Sequence, residues 1–349
     1  METQPFIYDL NLEDLTALLA EWGQPTYRAR QIWKGLYQHL WSDPREFTDL
    51  PAALRQKLAE NVRFSALQPV QVLQSSDGET VKTLFQLPDN RAIEAVLMEY
   101  DNQRRTLCIS SQAGCAMGCV FCATGQMGFK RHLSSGEIVE QVLYYARQLK
   151  KEGERVTNIV LMGMGEPFHN YDNTLAAIDR LNHPDGMNLG ARRFTISTVG
   201  LVPAIRRFAE EKRQVNLAIS LHAALDEERS ALLPVNRRYP ISELMDAVRE
   251  YIAKTGRRVT FEFALINEVN DTPENARALG QLLKGMLCHV NVIPLNPTQK
   301  YHGQATTRDR ANAFCAEVEK YGIPCTVRMR RGIDIQAGCG QLATEHKPG

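Results

Sequence analysis

The feature that most constrains the fold is a regular alternation of strand-like and helix-like segments from residue 104 onward. Short runs rich in β-branched and apolar residues are separated by longer stretches with the apolar spacing of helices. The runs are 106–110, 156–162, 194–199, 215–220, 259–265 and 289–294, and residues 326–329 would add one more. This order predicts six βα units around a parallel sheet, which is either open or a full or partial barrel. In each case the chemistry belongs at the carboxyl ends of the strands.

The first hundred residues follow a different pattern. Within residues 1–68, apolar side chains recur at helical spacing after Asn11 and again after Pro51, which suits the first turn of a helix. Within residues 69–103, apolar and polar residues alternate with a period of two, and turn signals separate the runs. We therefore predict a small helical accessory unit at 1–68, a short β-hairpin region at 69–103 and a main α/β domain at 104–349.

Charge and hydropathy exclude some classes of protein. The 349 residues have a net charge of only +1, so the total gives no support to nucleic-acid binding, although several Arg/Lys pairs would meet phosphates if they converged on one face. No run of 18 apolar residues is present, and the first residues do not have the pattern of a secretory signal. We therefore expect no membrane span and a cytoplasmic location. Eight cysteines without export favour metal binding or catalysis over a disulfide framework.

Three of these cysteines are closely spaced. Cys115, Cys119 and Cys122 form a CxxxCxxC pattern on the loop that follows the first predicted strand of the main domain. Three thiolates suit a soft metal centre, and a structural zinc site normally closes with four protein ligands. No fourth Cys or His follows at zinc-finger spacing; His132 is ten residues further on. On a four-iron cluster, three ligands leave one iron free to bind the amino and carboxylate groups of a small molecule.

Four short motifs stand where a predicted strand passes into a loop. They are Gly163–Pro167, Ser197–Thr198, Ser220–His222 and Leu295–Pro297. Because the carboxyl ends of parallel strands share one edge of a sheet, these side chains can converge on one pocket. Within the first motif, Glu166 can accept a hydrogen bond from an ammonium group, and the glycines let the backbone approach a ligand closely.

The cysteine triplet and these motifs, in this order, resemble the radical S-adenosylmethionine (SAM) RNA adenine methyltransferase family that includes the RlmN and Cfr enzymes, over nearly the whole chain. The resemblance implies an α/β fold with a partial (βα)6-type radical SAM barrel and a [4Fe–4S] cluster on Cys115, Cys119 and Cys122. It implies a SAM site formed by Gly165, Glu166, Ser197, Ser220, Leu221, His222 and Asn296. It also implies that the unit at 1–68 binds RNA.

The same resemblance assigns chemistry to three further residues. Carbon 2 of adenine is not nucleophilic, so the family places the methyl group on a cysteine first, here Cys339 between two glycines. A second SAM is then cleaved to a radical, the methyl group loses a hydrogen atom, and its carbon attacks the base. Glu94 is implied as the proton acceptor. Cys108 then attacks the Cys339 sulfur, which leaves a transient disulfide. From the residues alone, two interpretations without a catalytic role stay open: Cys108 can be a buried strand residue, and Glu94 can be a surface residue.

The implied partners are an adenine of 23S rRNA near the peptidyl transferase centre, an adenine of tRNA beside the anticodon, and an external electron donor. We expect a monomer with no membrane partner. One alternative is methylation at carbon 8, as in Cfr, and the sequence Gly165-Glu166-Pro167 favours carbon 2. Another is a radical activase or ring-forming synthase, which needs no methyl-carrying cysteine. A third is a zinc protein that binds RNA without catalysis.

Overall fold

The fold is organised around one ten-stranded mixed sheet, in a computed structural model that describes residues 4–328 and 330–342. The strands are β1 (Gln68–Gln74), β2 (Thr80–Gln86), β3 (Ala92–Tyr100), β4 (Arg104–Cys108), β5 (Gln112–Gly114), β6 (Phe129–His132), β7 (Asn158–Leu161), β8 (Phe194–Thr198), β9 (Asn216–Ser220), β10 (Val259–Leu265), β11 (Cys288–Pro294) and β12 (Cys325–Val327). The sheet has the order β1-β2-β3-β4-β7-β8-β9-β10-β11-β12, and β5 pairs with β6.

Strand direction divides the sheet into two parts. Strands β4, β7, β8, β9, β10, β11 and β12 run parallel to one another, whereas β1 to β4 form an antiparallel meander. The linear order leaves β1 at one edge and β12 at the other, so the parallel part is an open, partial (βα)6-type barrel, as predicted. The predicted strand at 259–265 has the same bounds as β10. For the last predicted strand, β12 covers 325–327, and Met329 lies outside the described residues, as do residues 343–349 of the predicted main domain.

The helices are α1 (Leu12–Glu21), α2 (Tyr27–Lys34), α3 (Ala52–Asn61), α4 (Ala123–Met127), α5 (Ser135–Lys151), α6 (Tyr171–Asn182), α7 (Val202–Glu211), α8 (Asp226–Leu232), α9 (Ile241–Thr255), α10 (Pro273–Leu283) and α11 (Arg308–Glu319). Two of them begin with capping boxes that satisfy free backbone amides of the first turn. Asn11 Oδ1 accepts from Asp14 N at 2.8 Å, and Ser134 Oγ accepts from Glu137 N at 3.2 Å. No helix within the described ranges has both the length and the apolar composition that crossing a membrane requires.

The helical segment before β1 packs on α5 and α6. Asp9 Oδ1 accepts from Gly136 N at 2.7 Å, Arg147 Nε donates to Leu40 O at 2.9 Å, and Arg180 Nε donates to Leu10 O at 3.2 Å. These hydrogen bonds fix the segment against α5 and α6. The unit boundaries at 68/69 and 103/104 stay a prediction.

Three polar residues of β2 are buried: Thr80, Lys82 and Thr83. Alternation of polar and apolar residues along a strand normally indicates that one face of the sheet is exposed. Thr80 and Lys82 are buried because residues 330–342, the C-terminal segment, cover that face. Lys82 Nζ donates to Gln336 O at 3.3 Å, and a Cβ placed on Gly332 would lie 2.8 Å from Thr80 Cγ2. The hairpin region is therefore both an extension of the main sheet and the support of the C-terminal segment.

Candidate active site

The three clustered cysteines line a cavity at the carboxyl ends of the parallel strands. Cys115, Cys119 and Cys122 lie on the loop between β5 and α4, and all three contribute to the wall. The loop is shaped by a close backbone crossing, in which Cys115 N donates to Gly128 O at 3.1 Å. A Cβ on the neighbouring Gly114 would lie 2.0 Å from that same oxygen, so only glycine fits. Across residues 4–328 and 330–342, no three His, Cys, Asp or Glu side chains are spaced to hold a single metal ion.

The predicted SAM-binding residues meet in this cavity, with one exception. The residues that line it are Gly165, Glu166, Ser197, Ser220, His222 and Asn296. Leu221 does not line it; its side chain lies in the hydrophobic core, and its backbone N donates to Glu262 O at 3.1 Å. The convergence follows from the topology, because each of these residues stands at or just after the end of a parallel strand.

Glu166 is held by backbone amides deep in the wall. Its Oε1 accepts from Phe168 N at 3.0 Å and its Oε2 accepts from Val199 N at 2.9 Å. Burial raises the pKa of Glu166 to about 7, although the two amides favour the carboxylate. The close packing requires Gly165, because its φ is +104° and a Cβ there would lie 2.6 Å from Gln112 Cβ. A buried carboxylate with remaining acceptor capacity is suited to bind an ammonium group.

His222 presents one defined ring nitrogen to the cavity. Ala264 N donates to His222 Nδ1 at 2.9 Å, so Nδ1 is unprotonated and Nε2 has the proton. Burial, with a further effect of the Arg229 charge, lowers the pKa of His222 to about 3, so the ring is neutral at physiological pH. Its ring contacts Phe121 edge-on, with centroids 5.0 Å apart. The neutral imidazole therefore offers a single N–H donor beside an aromatic face.

Two further groups remain available to a polar ligand. Ser197 Oγ and Ser220 Oγ lie 3.2 Å apart on adjacent strands. Asn296 Oδ1 is buried without a hydrogen-bond partner among the described residues, while Asn296 Nδ2 donates to Cys339 O at 3.0 Å. A buried acceptor of this kind normally has a partner, which points to a ligand that donates to it. The three thiols suit a [4Fe–4S] cluster. The Glu166 carboxylate, the neutral His222 donor and the free acceptor on Asn296 suit the polar groups of SAM.

Cys339 lies between this cavity and a second one. It lines the first cavity together with the three clustered cysteines, and it lines the second together with Cys108. The second cavity is also walled by Met98, Tyr100, Met162, Asn296, Arg328, Arg330 and Arg331. A group attached to the Cys339 sulfur could thus face either the first cavity or the second.

Hydrogen bonds from both sides fix the C-terminal segment. On one side, Ala123 N at the start of α4 donates to Gly340 O at 2.8 Å, and Gln341 Nε2 donates to Pro297 O, in the loop after β11, at 3.0 Å. Toward the hairpin region, Ser76 N donates to Asp334 Oδ2 at 2.8 Å. Gly338 lets the backbone of this segment approach Asn296 closely, since a Cβ at this position would lie 2.7 Å from Asn296 Nδ2.

Glu94 and Cys108 share one face of the sheet. Side chains alternate along a strand, so Glu94 and Met98 point to the same side, and Val96 between them pairs with Cys108 across β3 and β4. Glu94 is buried and forms an ion pair with Lys82 at 3.0 Å. It does not line either of the two cavities described above. The C-terminal segment covers this same face.

The two cysteines of the second cavity are both protonated thiols at neutral pH. Burial raises the pKa of Cys108 to about 12, and the nearby Cys339 adds to the rise. The Cys339 side chain has exposed surface, yet protein walls surround it and the loss of hydration raises its pKa to about 11. The Arg328 guanidinium opposes both shifts. All eight cysteines are free in the structure.

Sequence reasoning missed Lys82, Gln112, Glu262 and Arg328. Gln112 Oε1 accepts from Glu166 N at 2.8 Å, and Glu262 lines the first cavity beside Cys339. Arg328 pairs with Glu262 at 3.6 Å, which joins the walls of the two cavities. A charged residue inside an otherwise apolar strand was the available signal for Lys82 and Glu262, since such residues are seldom buried without a partner.

Comparisons with known proteins agree with this geometry. Residues 109–279 match the family model "Radical SAM superfamily", and residues 7–63 match "Ribosomal RNA large subunit methyltransferase N-terminal domain". The first match contains the cysteine triplet and the strand-end motifs from 163 to 222. The second covers the helical segment before β1.

Similar proteins match over almost their full length. The probable dual-specificity RNA methyltransferase RlmN of Chloroflexus aurantiacus is 52% identical, over 98% of this chain and 94% of that protein. The dual-specificity RNA methyltransferase RlmN 1 of Myxococcus xanthus is 51% identical, over 98% and 95%. The crystal structure of a radical SAM methyltransferase from Sphaerobacter thermophilus superposes with a TM-score of 0.95 at 52% identity, over 97% of this chain and 99% of that one. The chain therefore belongs to the RlmN family of radical SAM RNA methyltransferases.

Proposed function

We propose that the protein methylates carbon 2 of an adenine in RNA, and that Cys339 carries the methyl group between two cavities. The observation that supports this proposal is the position of Cys339, which lines the cavity of the three clustered cysteines and also the cavity of Cys108. A methyl group received in the first cavity is thereby within reach of a base held in the second. The proposed substrates are an adenine of 23S rRNA and an adenine of tRNA beside the anticodon.

In the first cavity, Cys115, Cys119 and Cys122 would hold the [4Fe–4S] cluster. Glu166 would bind the ammonium group of SAM. Its carboxylate and ribose would be bound by Ser197, Ser220 and Asn296, and the His222 Nε2–H would donate to a further acceptor on the ligand. When bound, the cluster and SAM supply a methyl group and the one-electron chemistry that removes a hydrogen atom from it. We propose that two SAM molecules are used per turnover, one for each task.

In the second cavity, the chain's own residues complete the reaction. The methylene carbon on Cys339 Sγ bonds to carbon 2 of the base. One electron of the adduct would return to the cluster held by Cys115, Cys119 and Cys122, and the ring proton would pass to Glu94, which is buried on the same face of the sheet as Cys108. Cys108 Sγ then attacks Cys339 Sγ as its thiol proton leaves: an S–S bond forms, the S–CH2 bond breaks, and the carbon keeps the electron pair and takes up that proton to become a methyl group. An external dithiol reduces the resulting disulfide. Arg328 favours the thiolate at both sulfurs.

The experiment that tests the proposal uses methyl-deuterated SAM, a reductant and ribosomal RNA with the anaerobically reconstituted enzyme, followed by mass spectrometry of the nucleosides. We expect 2-methyladenosine with two deuterium atoms from the donor. Three deuterium atoms would indicate direct transfer and contradict the role of Cys339. An 8-methyladenosine product would retain the route and overturn the assignment to carbon 2.

Cysteine variants separate the two steps. The variant Cys339→Ala is expected to form no methylated base, whereas Cys108→Ala is expected to accumulate a covalent protein–RNA adduct. Cys288→Ala is the matched control, because Cys288 is also buried but lies at the start of β11, at the opposite end of the strand from the cavities. The control should behave as the unchanged enzyme.

A further inference from the structure

Two cysteines outside the active site lie in contact with each other. Cys315 belongs to α11 and Cys325 to β12, and their Sγ atoms are 2.6 Å apart. A disulfide bond joins its sulfur atoms at about 2.05 Å, and two sulfur atoms that are not bonded keep a greater separation than the one seen here. The backbone therefore places these two thiols nearly at bonding distance. Neither residue takes part in the chemistry proposed above.

We propose that Cys315 and Cys325 form a redox-active pair that closes to a disulfide and fastens the last strand of the sheet to α11. Among the described residues, the strand β12 is an edge strand of three residues, and β11 is the one strand that it pairs with. Arg328 follows it directly, and the C-terminal segment with Cys339 begins two residues later. A bond from Cys325 to α11 would anchor the chain just before it enters the active site.

The pair is accessible to a small oxidant, because Cys325 is only partly buried. The thiolate of Cys325 attacks one sulfur of a low-molecular-weight disulfide such as oxidised glutathione, and one glutathione thiolate leaves. The thiolate of Cys315 then attacks the Cys325 sulfur and displaces the second glutathione. Two protein thiols are oxidised, one glutathione disulfide is reduced to two thiols, and both protons leave with these thiols. A dithiol reverses the exchange.

The bond should stabilise the folded chain. The two residues are ten positions apart, and closing a loop of this length restricts the unfolded chain. For a protein of this size we expect the unfolding temperature to rise by about 4 °C on oxidation. Cys288 is a suitable control, because it is buried on the adjacent strand β11 and has no cysteine sulfur within hydrogen-bonding distance among the described residues.

The test uses the cluster-loaded protein under anaerobic conditions, incubated with oxidised glutathione or with dithiothreitol. Free thiols are alkylated during denaturation, the disulfides are reduced, and the released thiols receive a second, distinguishable label before peptide mass spectrometry. We expect Cys315 and Cys325 to take the second label after oxidation and Cys288 to take the first. If Cys315 and Cys325 take the first label at every oxidant ratio, or retain glutathione on one sulfur, the proposal is wrong.

Thermal unfolding provides an independent readout. The rise in unfolding temperature on oxidation should be absent in Cys315→Ala and in Cys325→Ala, and unchanged in Cys288→Ala. An oxidised wild-type protein that unfolds at the same temperature as the reduced one would contradict the anchoring role. The result does not depend on RNA methylation, so the proposed function and this proposal can fail separately.

Discussion

Lys82 Nζ lies 3.0 Å from Glu94 Oε1, and both side chains are almost completely buried. The same ammonium group donates to Gln336 O at 3.3 Å, in the segment that holds Cys339. One cation therefore connects the proposed proton acceptor with the proposed methyl carrier. Since burying an ion pair is unfavourable unless further hydrogen bonds satisfy it, the pair is better explained by the position it imposes than by stability.

The first prediction concerns this pair. In Lys82→Met, the ion pair between Lys82 and Glu94 and the hydrogen bond from Lys82 to the C-terminal segment are both lost. We expect a decrease of about 3–5 kcal/mol in the free energy of unfolding and a fall in methylation of at least tenfold. Urea unfolding and single-turnover assays measure the two effects.

The double variant Lys82→Met/Glu94→Leu distinguishes stability from position. With both charges removed, the free energy of unfolding should recover most of the loss, because an apolar pair of similar volume replaces the buried ions. Methylation should stay low. The control is Lys254→Met, which breaks an exposed pair with Glu210 and should change the free energy of unfolding by less than about 0.5 kcal/mol. Equal effects of Lys82→Met and Lys254→Met would contradict the prediction.

The second prediction concerns the close approach at Gly338. An alanine Cβ would lie 2.7 Å from both Asn296 Nδ2 and Gln341 Oε1, so Gly338→Ala must displace these two side chains. Each is hydrogen-bonded to the segment, Asn296 Nδ2 to Cys339 O and Gln341 Oε1 to Gly338 N, so their displacement loosens the segment around Cys339. We expect the bound iron content to stay the same while methylation of Cys339, measured by mass spectrometry of the intact protein, falls at least tenfold. Gly190→Ala is the matched control, because a Cβ at Gly190 meets nothing within 4 Å. A Gly338→Ala protein that is methylated normally would show that the segment tolerates the shift.

Much of the main domain could be predicted from the sequence because its signals are local. The strand at 259–265 and the positions of the strand-end motifs each depend on a few adjacent residues. The parallel topology then brings Glu166, His222 and Asn296 together without further information.

The parts that could not be predicted depend on contacts between distant segments. Lys82 meets Gln336 from 254 positions away, and no spacing rule connects them. Leu221 illustrates the opposite case, since its motif ends a strand as expected but its own side chain points into the core. The burial of Thr80 likewise depends on a segment that returns from the far end of the chain.

The third prediction tests the link between Asn296 and Cys339. In Asn296→Asp the side chain keeps its size and an acceptor oxygen, but it no longer donates to Cys339 O. An aspartate oxygen then faces the Cys339 carbonyl oxygen. Leaving the partly buried Cys339 O without its donor costs about 1–3 kcal/mol, so we expect methylation of Cys339 to slow by about 10- to 100-fold. Rapid-quench mass spectrometry of the protein follows this step directly. Unchanged kinetics would show that the hydrogen bond does not position the sulfur.

The fourth prediction concerns the pH dependence of stability. In the unfolded chain His222 has an ordinary pKa of about 6.5, whereas burial lowers it to about 3 in the folded protein. Between these values the unfolded chain binds one more proton, so the free energy of unfolding falls as the pH falls below 6.5. When the pH falls from 7.5 to 5.5, His222 should lower the free energy of unfolding by about 1.4 kcal/mol.

The variant His222→Asn isolates this effect. Asparagine tolerates the left-handed backbone at this position, where φ is +60°, and its oxygen can accept from Ala264 N in place of Nδ1. The difference in the free energy of unfolding between wild type and variant, measured in urea at both pH values, should change by about 1.4 kcal/mol in favour of the variant at pH 5.5. All other titrating groups are shared and cancel. A difference that is the same at both pH values would mean that His222 takes up its proton in the folded protein as readily as in the unfolded chain. The neutral ring with its single Nε2–H donor, on which the proposed contact with SAM depends, would then be wrong.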